Sequence, residues 1–386
     1  MNIAVLYAFC LYMVKMKITL AFDSFKGSLS SLAVAEAFEE GLRTVYGDCE
    51  ILKFPIADGG EGTAEALVSA LGGTMVECSV DDPLGRPVAA RYGIIDNGAT
   101  AVIEMAEASG LTLLRPEERN PLYTSTRGFG ELILDALGRG CRRLLLGIGG
   151  SATNDAGMGM MQAFGYRFLD SSGVELPACG ASLGSVAKID ASLVPAIVRE
   201  AEFIVACDVV NPFCGKEGAA YVFAPQKGAD DAMVSLLDKG LYHFAERIKE
   251  CTGVDVSDMQ GAGAAGGVGG ALAAMLGAQL MPGAQMVLDA LHFDERVAGS
   301  DYIVTGEGRI DAQTLMGKAP AAVLQRALHL DIPVIAVGGT VVWCDELRKS
   351  PFKAIVPLVT DDTPLEEAMK PSVTRENLRR VAKEVR

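Results

Sequence analysis

The fold turns on the stretch Lys17-Ile18-Thr19-Leu20-Ala21-Phe22-Asp23-Ser24-Phe25-Lys26-Gly27-Ser28-Leu29-Ser30. Lys17 to Phe22 is a short apolar run that reads as a buried strand, and Asp23 to Ser30 is polar and bears a glycine. Val34, Phe38, Leu42 and Val45 then recur at helical spacing. Strand, loop, helix is the opening unit of a parallel sheet flanked by helices.

The pattern repeats downstream. Ile51 to Ile56 reads as a strand, Asp58 to Gly62 as a glycine-rich turn, and Thr63 to Leu71 as a helix stopped by Gly72; Thr74 to Val80 supplies a third strand. After Asp82 the style changes. Val88, Ala90, Tyr92 and Ile94 alternate, and Asp96-Asn97-Gly98 reads as a hairpin turn into Ala101 to Met105. Strand and helix alternate again from Tyr302, with strands at Tyr302 to Thr305, Ile332 to Val337 and Lys353 to Val359, a helix at Ala319 to Leu328, and a closing amphipathic helix through Leu378, Val381, Ala382 and Val385.

The expected architecture is α/β. A parallel-sheet, Rossmann-like domain formed by residues 16–81 and 285–386 would receive a second α/β domain with a β-hairpin, residues 82–284, as an insertion, and a cleft between them would hold the site. A chain of 386 residues suits two domains at about 100 to 200 residues each. Residues 1–15 read as an N-terminal extension. The apolar run from Ile3 to Val14 lacks a basic flank and is too short to span a bilayer, and Met16 stands directly before the first strand.

A formal net charge of -15 repels nucleic acids and anionic membranes, so neither is an expected partner. It leaves a nucleotide enzyme open, because ATP arrives with Mg²⁺ and needs only local donors. The 9 cysteines include no C-x-x-C pair, and the 3 histidines, His243, His292 and His329, form no ligand set with them; reduced thiols in a cytoplasmic protein are expected.

The main chemical constellation is Leu144-Leu145-Leu146-Gly147-Ile148-Gly149-Gly150-Ser151-Ala152-Thr153-Asn154-Asp155, an apolar strand running into a glycine-serine turn. Successive N–H groups of Gly149 and Gly150 can make an anion nest, Ser151 and Thr153 can add hydroxyl donors, and Asp155 can reach a metal; a tight turn with a helix cap is the plainer alternative. Gly261-Ala262-Gly263-Ala264-Ala265-Gly266 fits the dinucleotide pattern, but the polar Asp255 to Gln260 cannot supply the buried strand that pattern needs. Gly263, Gly266 and Gly267 are kept as phosphate-side candidates, with helix packing through small residues as the rival. No P-loop is present, since Gly317-Lys318 is followed by Ala319. Phosphoryl transfer here would be assembled from separate loops.

Asp23, Asp58, Glu61, Asp208, Glu307 and Asp311 sit at or just past expected strand ends, and Mg²⁺ needs only one or two such carboxylates plus substrate phosphates. Each alone is equally an ordinary cap or turn residue. Lys26 and Lys318 lie in glycine-bearing loops suited to polyphosphate, with plain surface solvation as the equal alternative. Arg309 and Arg127 can fork onto a carboxylate, or form surface ion pairs.

Together these segments resemble the type-1 glycerate kinase family. The resemblance runs from residue 16 to about 345 and rests on Asp23-Ser24-Phe25-Lys26-Gly27-Ser28, Ala57-Asp58-Gly59-Gly60-Glu61-Gly62-Thr63, Gly149 to Asp155, Ala206-Cys207-Asp208-Val209 with Asn211-Pro212, Pro225-Gln226-Lys227-Gly228-Ala229, Gly261 to Gly267, and Gly306-Glu307-Gly308-Arg309-Ile310-Asp311 with Gln313-Thr314. Ala156 departs from it, standing where the family often has a second glycine. The resemblance implies an ATP- and Mg²⁺-dependent enzyme that phosphorylates D-glycerate, with 2-phosphoglycerate as the expected product; a homo-oligomer is compatible with it.

The roles expected from chemistry follow. Gly149, Gly150, Ser151 and Thr153, with Gly263, Gly266 and Gly267, cradle phosphates; Asp208 or Asp155 holds Mg²⁺. Lys26 neutralises the transferring group, Arg309, Ser24 and Glu307 receive the acceptor, and Asp311 or Asp58 takes the hydroxyl proton. An NAD(P)-dependent hydroxy-acid dehydrogenase and a non-catalytic glycerate or nucleotide sensor are the competing functions.

Overall fold

A computed structural model describes residues 16–57, 59–359 and 363–385. In chain order the strands are β1 (Lys17–Phe22), β2 (Glu50–Pro55), β3 (Thr74–Asp81), β4 (Pro87–Ile95), β5 (Thr100–Glu104), β6 (Arg143–Gly147), β7 (Arg167–Leu169), β8 (Lys188–Asp190), β9 (Glu202–Ala206), β10 (Gln279–Met281), β11 (Tyr302–Ile310), β12 (Val334–Val341) and β13 (Ala354–Pro357). The N-terminal extension and Asp58 lie outside the described residues. The described residues fall into two compact units, one drawn from those up to Ala57 and from Leu288 onward, the other from the stretch that ends at Val287.

The first unit is built on an all-parallel sheet in the order β13-β12-β11-β1-β2. Ile18, Leu20, Ala21 and Phe22 are fully buried, as a strand covered on both faces requires. The helix Ser31–Tyr46 starts at Ser30, whose hydroxyl accepts the Ala33 N–H, and it buries Val34, Phe38 and Leu42. Phe38 meets Phe22 at a ring separation of 5.3 Å. The closing helix Pro371–Glu384 buries Leu378, Val381 and Ala382 in the same core. It approaches Gly41 so closely that a Cβ there would stand 2.5 Å from the Arg379 carbonyl.

From β1 the chain moves outward to β2, then returns to β11 on the other side of β1 and continues to β12 and β13. The carboxyl ends of β1 and β11 are therefore a topological switch point, where open α/β sheets bind ligands. β11 outruns β1: their register ends at Phe22 and Gly306, while Glu307 and Arg309 continue alongside β12.

The second unit holds a mixed sheet in the order β10-β9-β6-β5-β4-β3, parallel from β5 to β10 and antiparallel at β4. Here the structure departs from the expected boundary at residue 81. Thr63–Leu71 and β3 belong to this unit, because β3 pairs antiparallel with β4 from Thr74↔Ile94 to Asp81↔Pro87. The turn that reverses the chain, closed by Asp82 N–H to the Arg86 carbonyl and an Arg86–Asp82 ion pair, makes β3 and β4 one hairpin, and a hairpin stays in one sheet.

Candidate active site

In the second unit a cavity of about 440 Å³ opens at the carboxyl ends of β6 and β9, within the range of small-ligand sites. Gly149, Gly150 and Ser151 form one wall, Cys207 and Asp208 another, and Gly59, Gly60, Lys227 and Ala264 complete it. The wall after β6 is shaped by close backbone contacts. A Cβ on Gly147 would stand 2.3 Å from the Gly59 carbonyl, and Gly150 has φ 72°, a left-handed conformation that favours glycine. The Leu111 N–H to Gly150 carbonyl and Ala152 N–H to Ser109 carbonyl bonds, both 2.9 Å, pin this turn to the neighbouring loop.

Gly149, Gly150 and Ser151 thus occupy the place expected for a phosphate cradle. Thr153 does not join them: it is fully buried, and its carbonyl, not its hydroxyl, serves the site. Gly263, Gly266 and Gly267 also lie behind the cavity wall, which Ala264 and Ala265 line instead. Their lack of a side chain is used in packing. A Cβ on Gly266 would stand 2.2 Å from the Thr153 carbonyl, and one on Gly263 would stand 2.2 Å from the Pro212 carbonyl. Residues 265–267 all have positive φ, so the helix that ends at Leu276 is regular only beyond them. No strand precedes Gly261, which removes the structural context of a dinucleotide fingerprint.

The metal assignment of Asp155 is corrected. Its carboxylate is fully buried and accepts from the Thr126 N–H (2.8 Å), the Thr126 hydroxyl (2.8 Å), the Gly157 N–H (3.1 Å) and the Gly159 N–H (3.1 Å). Both oxygens are engaged in holding the turn, and burial raises the carboxyl above its usual range against those donors. Asp208 lines the cavity and accepts the Gly283 N–H through one oxygen at 3.0 Å. Among the described residues no group of three His, Cys, Asp or Glu forms a metal set. A single carboxylate of this kind fits Mg²⁺ delivered on a phosphate chain, which needs few protein ligands.

Lys227, to which sequence reasoning gave no role, also lines the cavity. It ends the turn Pro225–Lys227, closed by Gly228 at φ 97°, and is 2% exposed. Its Nζ donates to the Ser151 hydroxyl (2.8 Å) and the Thr153 carbonyl (2.6 Å). Burial pushes its pKa down to about 7, opposed by the charge of Asp155. The available signal was the Pro-Gln-Lys-Gly segment itself, a lysine locked between two turn residues.

The first unit gathers a second set at its switch point. Glu307, 8% exposed, accepts the Thr314 hydroxyl at 2.6 Å, and the Lys318 ammonium stands 3.7 Å from its other oxygen. Burial raises the Glu307 carboxyl, while Thr314, Lys318 and Lys26 pull it back and Asp311 adds to the rise. Asp311 accepts the Gln313 N–H at 2.9 Å as cap of the following turn, and its other oxygen pairs with the largely exposed Arg309 at 3.1 Å. The Ser24 N–H donates to the Asp23 carboxylate at the end of β1. Arg127 belongs to the second unit, where Glu131 (3.0 Å) and Asp81 (3.5 Å) engage it.

Each unit thus carries a candidate ligand site at the carboxyl ends of its strands, one with a glycine cradle and one with paired cations and carboxylates, an arrangement of the kind used in phosphoryl transfer. The comparisons with known proteins agree. The profile described as the Glycerate kinase family matches residues 18–386. "Glycerate kinase" of Bacillus subtilis (strain 168) is 46% identical over 371 residues, covering 96% of this chain and 97% of the relative. "Glycerate 2-kinase" of Escherichia coli (strain K12) is 48% identical over 325 residues, covering 84% and 85%. A crystal structure of a Salmonella typhimurium LT2 protein superposes with a TM-score of 0.87 at 45% identity, covering 96% of this chain and 97% of its own. With the profile running from β1 to the C-terminal residue, the chain belongs to the glycerate kinase family and is a small-molecule kinase.

Proposed function

We propose that this enzyme transfers the terminal phosphoryl group of ATP to the 2-hydroxyl of D-glycerate, giving 2-phosphoglycerate and ADP. The observation that carries the reading is the second unit's cavity, where two glycines, a serine, a buried lysine and one carboxylate share one wall system. That donor set suits a polyphosphate and its Mg²⁺, with Asp208 as the protein ligand. The metal, when bound, supplies neutralisation of phosphate charge. Asp208 orients that charge, and Gly149 and Gly150 allow the backbone to approach it.

The acceptor is assigned to the first unit's switch-point cluster. The glycerate carboxylate takes the Arg309 guanidinium in place of Asp311, which frees an Asp311 oxygen for the 2-hydroxyl. As the hydroxyl oxygen bonds to phosphorus and the bond to ADP breaks, the hydroxyl proton passes to Asp311. Lys26 neutralises the group in transfer, and Glu307 and Ser24 hold the acceptor's polar atoms. The name of the Escherichia coli relative supports the 2-hydroxyl as acceptor. Use of ATP, free cysteines and the absence, among the described residues, of any helix able to cross a membrane are compatible with a cytoplasmic enzyme.

Incubation with D-glycerate and Mg-ATP, followed by phosphorus NMR, tests the reading. A 2-phospho product is expected. A 3-phospho product refutes the regiochemistry, and ligand-induced thermal stabilisation without ADP release would identify a sensor.

A further inference from the structure

A lysine ammonium carries three N–H donors, and the Lys227 ammonium gives one to the Ser151 hydroxyl and one to the Thr153 carbonyl. Neither partner is charged. Among the described residues no carboxylate stands within ion-pair distance of its nitrogen, and Asp155, whose field reaches it, has both oxygens engaged by Thr126, Gly157 and Gly159. Among the described residues, other titratable groups on surrounding elements include Cys207 and Asp208 just after β9, Tyr221 on the preceding helix Ala219–Phe223, and Arg119, whose backbone packs on Gly228. A cation removed from water without a paired anion costs several kcal/mol. Such a group persists where an anion from outside completes it, and Lys227 lines the cavity beside Gly149 and Gly150.

We propose that Lys227 is the anion receptor of this cavity, its ammonium binding an oxygen of the nucleotide's polyphosphate chain directly. The assignment rests on the nucleotide reading of the cavity and adds to it the residue that recognises the phosphate. The Ser151 hydroxyl and Thr153 carbonyl then act as positioning groups that fix the amine on the wall. One consequence is proton linkage. With its pKa near 7 in the unliganded protein, Lys227 is only partly charged at neutral pH, and an arriving anion favours the charged form. Anion binding should therefore weaken as pH rises through neutrality.

Calorimetric titration of the full chain and of Lys227→Met with ADP and with inorganic tripolyphosphate tests this. Methionine fills the same buried volume without charge, a change that buried ion sites often tolerate. Wild type is expected to bind both probes, and the variant to bind each about 100-fold more weakly, the size of a lost buried charge contact. Equal binding by a folded Lys227→Met overturns the proposal and leaves the nucleotide reading standing. Failure of wild type to bind either probe overturns both. Should the variant not fold, the thermal shift that sulfate gives wild type decides, because sulfate has no titrating proton near neutrality. A shift that fades as pH climbs past about 7 supports Lys227, and a pH-independent shift overturns it.

Discussion

The Thr314 hydroxyl donates to the Glu307 carboxylate across 2.6 Å, and both residues are buried at the carboxyl end of β11. Burial nonetheless lifts the Glu307 carboxyl above 4.5. A carboxyl whose pKa is higher folded than unfolded binds its proton more tightly in the folded state. Its contribution to stability is full below the unfolded value and is lost as pH rises through the folded one. Glu307→Gln keeps an acceptor for Thr314 and removes the titration. Relative to wild type, the variant should gain stability as pH rises above the ordinary glutamate value of about 4.3, measured by urea unfolding at each pH. A relative loss over that range would mean that Lys318 and Lys26 outweigh burial. In kinetics the same variant should raise KM for D-glycerate.

Asp311 offers a cleaner separation of structure from chemistry. Asparagine caps a helical turn as well as aspartate, so Asp311→Asn should preserve the bond from the Gln313 N–H and leave Tm within a few degrees of wild type. It cannot accept the hydroxyl proton. We expect kcat to fall by about 10²-fold or more with KM for glycerate little changed. Arg309→Ala should do the reverse, raising KM chiefly, because an exposed guanidinium contributes binding more than proton transfer. Steady-state turnover near wild type in Asp311→Asn would exclude Asp311 as the base.

Much of this was legible in the sequence, for identifiable reasons. β1 and the first half of β11 are buried, so Ile18 to Phe22 and Tyr302 to Val304 read as mainly apolar runs, whereas the polar second half of β11, with Glu307 and Arg309, does not read as strand. Gly149 to Ser151 was legible as a turn at a strand's carboxyl end, because the apolar β6 runs almost directly into two glycines. The placement of β3 was not, since Thr74 to Val80 reads alike in a parallel or an antiparallel sheet, and only its pairing with β4 decides. Asp155 was misread because the donors that engage it include Thr126, 29 residues away. Lys227 was given no role of its own for the same reason, its anchors lying 76 and 74 residues upstream.

Gly266 reports on how tightly that anchor is held. A Cβ there would come 2.2 Å from the Thr153 carbonyl, the acceptor of Lys227, in a backbone at φ 73°. Gly277 is the matched control, with φ 67° and nothing within 4 Å of the added atom. Alanine at Gly277 should cost about 1 kcal/mol for the left-handed conformation alone. Alanine at Gly266 should cost at least about 2 kcal/mol, the conformational penalty plus displacement of the Thr153 backbone, and should also weaken tripolyphosphate binding. Equal melting points for the two variants would show that the contact yields without consequence.

The proposed assignment gives Asp155 a structural role and Asp208 the metal role. Three of the four donors to Asp155 converge on one oxygen, so in Asp155→Asn either that oxygen's network survives with the amide meeting the Gly157 N–H, or it fails altogether. Each orientation leaves at least one buried donor facing a donor, a loss of about 2 to 4 kcal/mol. Asp208 accepts the Gly283 N–H among its contacts, and asparagine, of the same shape, can keep that bond through its carbonyl. Asp208→Asn should therefore melt close to wild type yet require more Mg²⁺ for half-maximal turnover, whereas Asp155→Asn should melt well below wild type with an unchanged Mg²⁺ requirement in whatever fraction folds. Thermal unfolding and a magnesium titration of turnover separate the two, and an exchange of these phenotypes would return the metal to Asp155.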